Sequence, residues 1–437
     1  ALTVVNSIFQ GYGGFYDTRS LSGITLNDRY ENCAFEPTSL PPAAMRTMCQ
    51  SVSDWSEVFD SSTVGNYYLK PTSSLIDAGK RTTQILSILK DRTTKAPASL
   101  TSPISSETVI ERLPRDAELF ADLPDLGYHY QAVDALIDSS GLIVNSDLAV
   151  QPGAVISSLG EITVGSNGLL LLSAVPSQRT VLTAAWQLSE GLNGVCPSIG
   201  PFFSGLNITG TGGTSSNSVN HVGIYGFYYA LECNPDRILG NEIKHSEFQG
   251  QSLGLYLIHP SNNGEMTIQN CLFLGSEYGV YNPGNTLNAI CSTFDACNYP
   301  AGGGGKPIAY TNCLFTRFVG FWGSSVHTTL NSAFWDPTYI YPPGTISNCV
   351  NCSALPYAAG EQGWHYLNTT PGAGSALTQT GSGTAASHGL YHYTVSPEAG
   401  DVREKNNTCS IGYHYPVLGI DTDFDGLLDV DEDSNGD

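Results

Sequence analysis

Short apolar pieces recur along the chain with a period in the low twenties. Each begins with a large apolar residue, carries Cys, Ser or Ala in the middle, and in most cases ends in Phe. The pieces lie at residues 243–248, 268–273, 290–294, 310–315, 330–334 and 346–351. Their phenylalanines follow one another after 25, 21, 21 and 19 residues. A nearly constant period of this length is typical of a solenoid of stacked supersecondary units.

Within each piece, apolar or small residues alternate with variable ones, and this period of two predicts strands. Gly, Asn and Pro turns separate two or three strands per repeat, so one repeat forms one coil of a parallel β-helix. Coils lie about 4.8 Å apart, and equivalent residues therefore stack. We expect the phenylalanines to fill the interior, at about 1.5–3 kcal/mol per buried ring. We expect the Asn of each Asn-Cys-x-Phe piece to hydrogen-bond the backbone of the next coil.

The chain also contains a long-range duplication. Residues 410–415 repeat the pattern of residues 125–130 after 285 positions, and residues 364–367 match residues 66–69. The pattern predicts the tail of one module followed by a complete second module, and a short helix at 83–90. The predicted segments are the last coils of a first β-helix (1–66), a trailing segment (67–131), a second β-helix (132–366), a second trailing segment (367–420) and an acidic calcium-binding repeat (421–437). Because the chain begins in the register of a coil, we expect either a longer polypeptide or something that packs on this end.

Composition favours an extracellular all-β protein. Charged residues make up 13% of the 437 residues, and there are 47 glycines and 23 tyrosines. The 18 basic and 40 acidic residues give a net charge of −22. This charge argues against nucleic-acid binding, which needs a basic face, and favours divalent cations. The sequence contains no run of 18 apolar residues, so no membrane span is predicted.

The C-terminus carries the most specific chemical pattern, D-x-D-x-D-G-x5-E, which is typical of a calcium loop. The predicted Ca²⁺ ligands are Asp421, Asp423, Asp425, the carbonyl of Leu427, Asp429 and Glu432. No helix-forming run precedes the loop, so it resembles a thrombospondin type-3 or dockerin-like loop more than a helix–loop–helix hand. The alternative is a solvated acidic tail. At a Kd of about 10⁻⁴ M, millimolar calcium stabilises the fold by about 1–2 kcal/mol.

Eleven cysteines are present, and Cys196–Cys233 and Cys291–Cys297 are candidate disulfides. The cysteines of the repeated pieces are also consistent with a buried ladder of small apolar side chains. A zinc site is not expected, because the one Cys-x-x-Cys pair has no second pair at the right spacing. Four sequons are candidate glycosylation sites if the host uses that code, at Asn207, Asn351, Asn368 and Asn406.

The Asn-Cys-x-Phe coils, the passage at residues 67–79 and the Gly-Tyr-His-Tyr endings resemble large secreted bacterial surface proteins. Those proteins have right-handed parallel β-helix domains of the pectate-lyase-like type and occur in Verrucomicrobia and Planctomycetes. The resemblance implies an all-β right-handed solenoid and export from the cell. It does not imply a reaction.

Parallel β-helices also carry polysaccharide lyases and glycoside hydrolases, which need a base beside calcium-held carboxylates or a pair of carboxylates. The strongest charged cluster of the second β-helix comprises Asp236, Arg237, Glu242, Lys244 and Glu247. We predict a non-enzymatic structural protein of the cell surface, stabilised by Ca²⁺, whose partners are further copies at its β-helix ends and possible glycans. The alternative is a carbohydrate-active enzyme or a glycan-binding module on the same fold.

Overall fold

Parallel strands dominate the computed structural model. The structure describes residues 3–9, 29–89, 92–116, 118, 122–175, 178–185, 204–210, 217–259, 264–335, 344–360, 362–390, 392–395, 404 and 407–416. The strands stack as a β-solenoid of about 12 turns with 8% helix, which confirms the predicted fold class. The chain divides into two compact units, Ala1–Ser99 with Leu113–Leu136 and Ala185–Cys196, and Leu100–Arg112 with Ile137–Ala184 and Pro197–Asp437.

The elements up to residue 137 are short. The strands are β1 (Thr3–Val5), β2 (Ile8–Phe9), β3 (Arg29–Glu31), β4 (Ala34–Phe35), β5 (Arg46–Thr47), β6 (Gln50–Ser51), β7 (Phe59–Ser62), β8 (Gly65–Leu69), β9 (Arg92–Thr93), β10 (Ala98–Leu100), β11 (Thr108–Ile110), β12 (Tyr130–Gln131) and β13 (Ala135–Ile137). Helix α1 (Thr83–Leu89) confirms the predicted short helix. In the first unit, β1-β3-β5 and β2-β4-β6 form two parallel sheets. The 3₁₀ turns of this part are Pro37–Ser39, Ala43–Met45 and Trp55–Glu57.

The second unit contains the longer solenoid. Its strands are β14 (Leu142–Val144), β15 (Asp147–Val150), β16 (Val155–Ser158), β17 (Ile162–Val164), β18 (Leu169–Ser173), β19 (Thr180–Ala184), β20 (Ser204–Ile208), β21 (Ser218–Asn220), β22 (Val222–Cys233), β23 (Glu242–Lys244), β24 (Glu247–Leu257), β25 (Glu265–Gln269), β26 (Leu272–Leu274), β27 (Tyr278–Asn282), β28 (Thr286–Ile290), β29 (Thr293–Asp295), β30 (Tyr299–Gly303), β31 (Ile308–Thr311), β32 (Leu314–Thr316), β33 (Trp322–Gly323), β34 (His327–Leu330), β35 (Ala333–Trp335), β36 (Gly344–Ser347), β37 (Val350–Asn351), β38 (Tyr357–Gly360) and β39 (Gly363–Leu367). Its 3₁₀ turns are Pro235–Arg237, Leu239–Asn241, Gly374–Leu377 and Ala386–His388.

Two sheets form the walls of this solenoid. One follows the order β11-β15-β18-β21-β23-β25-β28-β31-β34-β36 and takes one strand from each coil. The other includes β14-β16-β17-β19-β20-β22-β24-β26-β27-β29-β30-β32-β33-β35-β37 and takes two shorter strands, or one long strand, from each coil. Adjacent coils therefore pair along the unit, with register shifts in the β22–β24 pair around Phe227.

The predicted phenylalanine ladder lies inside the second unit. Phe248 pairs with Phe273, Phe273 with Phe294, Phe294 with Phe315, and Phe315 with Phe334. Neighbouring rings stack with centroids 4.9–5.4 Å apart. The buried rings remove large apolar surfaces from water, and their stacking follows from the parallel pairing of the strands that carry them.

At the turn that leads into each phenylalanine-bearing strand, or into the strand aligned with one, one residue adopts a left-handed backbone. We call these residues the turn ladder. In the second unit they are His221, His245, Asn270, Cys291, Asn312, Asn331 and Asn348, with φ between 46° and 56°. Asn tolerates this conformation better than most residues because its side chain hydrogen-bonds locally. The ladder of the first unit consists of Asn6, Asn32 and Met48.

We call each residue of the turn ladder a rung. The residue that follows each rung points inward. Cys271 and Cys313 are fully buried, and their thiols donate to the carbonyls of Ile243 and Ala289 at 3.5 and 3.3 Å. These cysteines act as small apolar side chains with a weak hydrogen bond.

Each solenoid is followed by a trailing segment that folds back over its own coils. In the second unit, β38 and β39 form an antiparallel hairpin, and Tyr366 stacks on Tyr415 at 4.1 Å. In the first unit, β7 and β8 form the same kind of hairpin, and Tyr68 stacks on Tyr130 at 4.1 Å. The repeated sequence patterns therefore correspond to repeated structures.

Candidate functional site

The trailing segments bind the turn ladder through side-chain amides. In the second unit, Asn270 Nδ2 donates to the carbonyl of His414 at 2.9 Å, and its Oδ1 accepts the His414 N–H at 2.7 Å. Asn312 makes the same pair of bonds to Ser382, at 3.0 and 2.8 Å. This finding corrects the sequence-based expectation, because these amides bind the trailing segment and not the next coil. We call this set of contacts the clasp.

The first unit has a clasp of the same design. Asn6 Nδ2 donates to the carbonyl of Lys80 at 3.0 Å, and the Lys80 N–H donates to Asn6 Oδ1 at 2.7 Å. Asn32 Nδ2 donates to the carbonyl of Ala78 at 3.0 Å. The amide ladder is therefore a general device with which these modules hold their trailing segments.

Three rungs of the second unit are not asparagine, and two of them meet a matching residue of the trailing segment. His245 stacks on His221 with ring centroids 4.5 Å apart, and His245 Nδ1 lies 3.2 Å from His392 Nε2. Cys291 Sγ lies 3.3 Å from Cys409 Sγ. Burial lowers the pKa of His221 to about 3 and the pKa of His245 well below its ordinary value, so these two imidazoles are neutral at physiological pH.

Cys409 also contacts a buried histidine–carboxylate pair. His414 Nε2 lies 3.1 Å from Glu404 Oε2 and 3.6 Å from Cys409 Sγ. Cys409 and His414 are fully buried, and Glu404 is 2% exposed. Glu404 accepts two further hydrogen bonds, from the hydroxyl of Thr394 at 2.6 Å and from the Ser410 N–H at 2.7 Å. Oxygen, nitrogen and sulfur donors thus converge in a site from which water is excluded.

Contacts within this cluster shift the pKa values of His414, Cys409 and Glu404. Burial alone lowers the pKa of His414, but Cys409 and Glu404 raise it to about 10. A hydrogen bond from Cys291 and the His414 charge lower the pKa of Cys409 to about 5. Burial raises the pKa of Glu404, whereas His414 and the hydrogen bonds to the carboxylate lower it to about 2. The site therefore favours a thiolate, a carboxylate and a cation side by side.

The first unit contains the corresponding pair without sulfur. His129 Nε2 contacts Asp116 Oδ2, and the N–H of Asp125 donates to both oxygens of Asp116. The Gly79 N–H donates to the carbonyl of Pro124 at 2.7 Å. In the second unit, the Gly381 N–H donates to the carbonyl of Cys409 at 2.8 Å, so Cys409 occupies the place of Pro124.

A second polar network lies under the trailing segment of the second unit. Arg179 pairs with Glu247 and donates to the hydroxyl of Tyr413 at 2.6 Å, and the hydroxyl of Tyr225 donates to Glu247 at 2.7 Å. These groups satisfy one another in a partly buried position, where ionised groups need partners.

Asp295 belongs to the same covered face. It accepts hydrogen bonds from Arg317 Nε at 2.7 Å and Thr316 Oγ1 at 2.8 Å, and His365 Nε2 lies 2.8 Å from it. Burial raises the pKa of Asp295, but these three partners lower it to about 2. The carboxylate is therefore ionised and fully engaged in structural contacts.

The charged cluster expected from the sequence does not form one site. Asp236 pairs with His259 at 2.8 Å, and Glu242 pairs with Lys244 at 2.7 Å. Arg237 is buried and donates to the carbonyls of Gly165, Gly168 and Gly210. Glu247 pairs with Arg179. This geometry does not favour the carbohydrate-active alternative.

The other predicted site residues lie apart from the clasp cluster or outside the described residues. The calcium loop at 421–437, Cys196 and Asn406 lie outside them. Cys233 and Cys297 are buried thiols, and Cys297 donates to the carbonyl of Asp295 at 3.8 Å. Asn207 donates to Glu161 at 2.9 Å, Asn351 is exposed in β37, and Asn368 accepts the Thr370 N–H at 2.9 Å. The structure brings Cys291 next to Cys409 and not to a nearby cysteine of the sequence.

Sequence reasoning missed the cluster of Glu404, Cys409 and His414. One signal was present, because Cys291 replaces the asparagine of the aligned pieces. No signal pointed to Glu404, which depends on the path of the trailing segment.

The chain matches none of the protein-family models, curated proteins or solved structures with which it was compared. Among the described residues, no helix has the length and apolar character needed to span a bilayer.

Proposed function

We propose that this protein is a structural β-solenoid protein of the cell surface, in which each solenoid is locked by the trailing segment that follows it. The duplicated clasp is the observation that carries this proposal. Asn6 in the first unit and Asn312 in the second bind their trailing segments with the same bidentate geometry. The presence of the same contact in both modules supports a structural role for it.

The clasp stabilises contacts between distant parts of the chain. Asn312 and Ser382 are 70 residues apart, and Asn270 and His414 are 144 residues apart. Each hydrogen bond adds about 0.5–1.5 kcal/mol, so the four bonds of these two rungs contribute on the order of 2–6 kcal/mol. Because the trailing segment crosses several coils, one coil cannot peel away without breaking bonds to the segment.

The covered face supports a structural role. Two ion pairs lie on this face, Glu247 with Arg179 and Asp295 with Arg317. A catalytic carboxylate needs access to its substrate, whereas these carboxylates lie beneath the trailing segment. Their arrangement supports adhesion of the segment to the solenoid.

Calcium binding, export and assembly are further parts of the proposal. The ligand pattern of Asp421, Asp423, Asp425 and Glu432 and the net charge of −22 support a Ca²⁺ site in the C-terminal repeat. The low fraction of charged residues and the sequence resemblance support an extracellular location. Two tandem modules support end-to-end association into a fibre or surface layer.

Negative-stain electron microscopy and analytical ultracentrifugation of the full chain, with and without millimolar calcium, test the assembly. We expect elongated oligomers that lengthen when calcium is present. Asp423→Asn should abolish the effect of calcium, and Asn351→Gln serves as a control. Monomers at every protein and calcium concentration would contradict the assembly. Cleavage of an acidic polysaccharide that is lost in Glu247→Gln or Asp236→Asn would favour the carbohydrate-active alternative.

A further inference from the structure

Three side chains with the donor atoms of a transition-metal site meet at the clasp of the second unit, and a fourth, Cys291, contacts one of them. The ligand atoms of Glu404, Cys409 and His414 all lie within 4.8 Å of one another, and Cys291 Sγ lies 3.3 Å from Cys409 Sγ. We propose that Glu404, Cys409, His414 and Cys291 bind one Zn²⁺ ion, which fastens the trailing segment to the solenoid.

Three of the six ligand–ligand separations lie close to those of a tetrahedral site. With zinc–ligand bonds of about 2.0–2.3 Å, a tetrahedron has edges of roughly 3.8 Å between two sulfurs, 3.5 Å between sulfur and nitrogen, and 3.3 Å between nitrogen and oxygen. The corresponding separations here are 3.3, 3.6 and 3.1 Å. Shifts of half an ångström or less bring these three edges to the tetrahedral values, which is within the reach of small side-chain rotations.

The histidine geometry also points to an ion. Both Cys409 Sγ and Glu404 Oε2 contact the same nitrogen of His414, Nε2. A nitrogen with one hydrogen satisfies one acceptor well, whereas a metal ion attracts all three atoms. A relay of the Cys–His–carboxylate kind needs the carboxylate and the thiol on opposite ring nitrogens, so this arrangement does not support nucleophilic catalysis.

The corresponding pair in the first unit shows which residues of the cluster a purely structural role explains. His129 and Asp116 show that the clasp uses a histidine–carboxylate pair without sulfur. That pair alone is therefore no reason to invoke a metal. The second unit adds two sulfurs, Cys409 in place of Pro124 and Cys291 in place of a ladder asparagine. Both additions converge on the same point from distant parts of the chain.

The donor set selects the ion. Thiolate, imidazole and carboxylate suit zinc and related transition metals, whereas Ca²⁺ and Mg²⁺ prefer oxygen ligands. Four protein ligands without an open position are typical of a structural site. The hydrogen bonds from Thr394 and Ser410 to Glu404 hold the carboxylate in place, as partners of metal ligands usually do. The proposal holds whether or not the protein assembles into fibres.

Cobalt substitution of the full chain tests the site. The protein is stripped with a chelator, kept reduced with a phosphine under argon, and titrated with Co²⁺ and then with Zn²⁺. We expect one equivalent of Co²⁺ to give tetrahedral d–d bands and a thiolate-to-cobalt charge-transfer band, and Zn²⁺ to displace it. Cys409→Ser should weaken Co²⁺ binding at least about 100-fold, because loss of an outer partner alone weakens it 10–100-fold. Cys291→Ser should reduce the charge-transfer intensity.

Two matched variants control for unrelated effects. Cys297→Ser removes another fully buried thiol, and His129→Gln removes the corresponding histidine of the first unit; neither should change the cobalt spectrum. Absence of the charge-transfer band from reduced wild-type protein would overturn the proposal, even if a variant fails to fold. Unchanged Co²⁺ affinity and unchanged band intensity in Cys409→Ser would also overturn it, because the metal then lies elsewhere.

Discussion

Asn312 holds Ser382 by both atoms of its side-chain amide, with Nδ2 donating at 3.0 Å and Oδ1 accepting at 2.8 Å. The two residues are 70 positions apart, and Asn312 is fully buried. The same geometry recurs at Asn270 and at Asn6. A single residue type therefore fixes both the turn of a coil and the path of the segment that crosses it.

Replacement of Asn312 by Ala should destabilise the protein by about 2–5 kcal/mol. The change removes two buried hydrogen bonds, each worth about 0.5–1.5 kcal/mol, and places Ala in a left-handed turn, at a cost of about 1–2 kcal/mol. Denaturant unfolding measures the loss. Asn331→Ala is the control, because Asn331 has φ 46° but donates no side-chain hydrogen bond within the part of the chain that the structure describes. Equal losses in the two variants would show that the clasp bonds contribute nothing.

Replacement of Phe294 by Ala should destabilise the second unit by about 3–5 kcal/mol. Phe294 is fully buried and stacks on Phe273 at 4.9 Å and on Phe315 at 5.4 Å, so its removal leaves a cavity in the ladder. Trp364 is 75% exposed, and Trp364→Ala should change the free energy of unfolding by less than about 0.5 kcal/mol. Thermal and denaturant unfolding measure both variants. A loss below 1 kcal/mol for Phe294→Ala would contradict the ladder.

Tyr415→Phe and Tyr130→Phe should have matching local effects. The hydroxyl of Tyr415 accepts the His365 N–H at 3.0 Å, and the hydroxyl of Tyr130 accepts the Tyr67 N–H at 2.9 Å. Each variant loses one such bond, worth about 1 kcal/mol. Hydrogen exchange followed by mass spectrometry should show faster exchange at His365 in the first variant and at Tyr67 in the second. Unchanged exchange at these amides would argue against the equivalence of the two hairpins.

His327 should make the protein less stable in acid. It is fully buried, and burial lowers its pKa to about 4 from the usual 6.5. The folded state therefore binds fewer protons than the unfolded state, and stability falls as the pH drops from about 6.5 to about 4. The full effect is on the order of 3 kcal/mol, because one pKa unit equals about 1.4 kcal/mol.

His327→Phe tests this pH dependence. The ring centroid of His327 lies 5.3 Å from that of Phe321 and 5.9 Å from that of Tyr310. A phenyl ring at position 327 therefore keeps the aromatic contacts. The variant should lose less stability than the wild type between pH 7 and pH 4, as urea unfolding at each pH will show. Parallel curves for the two proteins would mean that His327 does not titrate on unfolding.

The fold was predictable because its signal is local and repeated. The spacing of Phe273, Phe294 and Phe315 sets the coil length, and the alternation within each piece sets the strand. Each additional coil repeats the same evidence. A wrong prediction for one turn therefore does not affect the prediction for the next coil.

The partner of each asparagine was not predictable in the same way. Asn270 and Asn312 lie at turns, and the sequence around a turn does not reveal which distant segment covers it. The expectation of a bond to the next coil was wrong for this reason: His414 and Ser382, 144 and 70 residues away, supply the partners.

The candidate metal site depends on the same distant contact. Cys291 and Cys409 are 118 residues apart, whereas the disulfide suggested from the sequence paired Cys291 with Cys297. The replacement of Asn by Cys at position 291 was visible in the aligned pieces. Its meaning depends on where the trailing segment runs. The Ca²⁺ loop stays a prediction, since it lies outside the described residues.

The mixed composition of the turn ladder determines the position of the trailing segment along the coils. If every rung offered the same amide, a trailing segment displaced by one coil would find an equivalent partner and lose little free energy. A displaced segment would instead bring Cys409 to an amide rung and His392 away from His245. The irregular rungs therefore give the segment one correct position, much as a single buried polar residue sets the alignment of two paired helices.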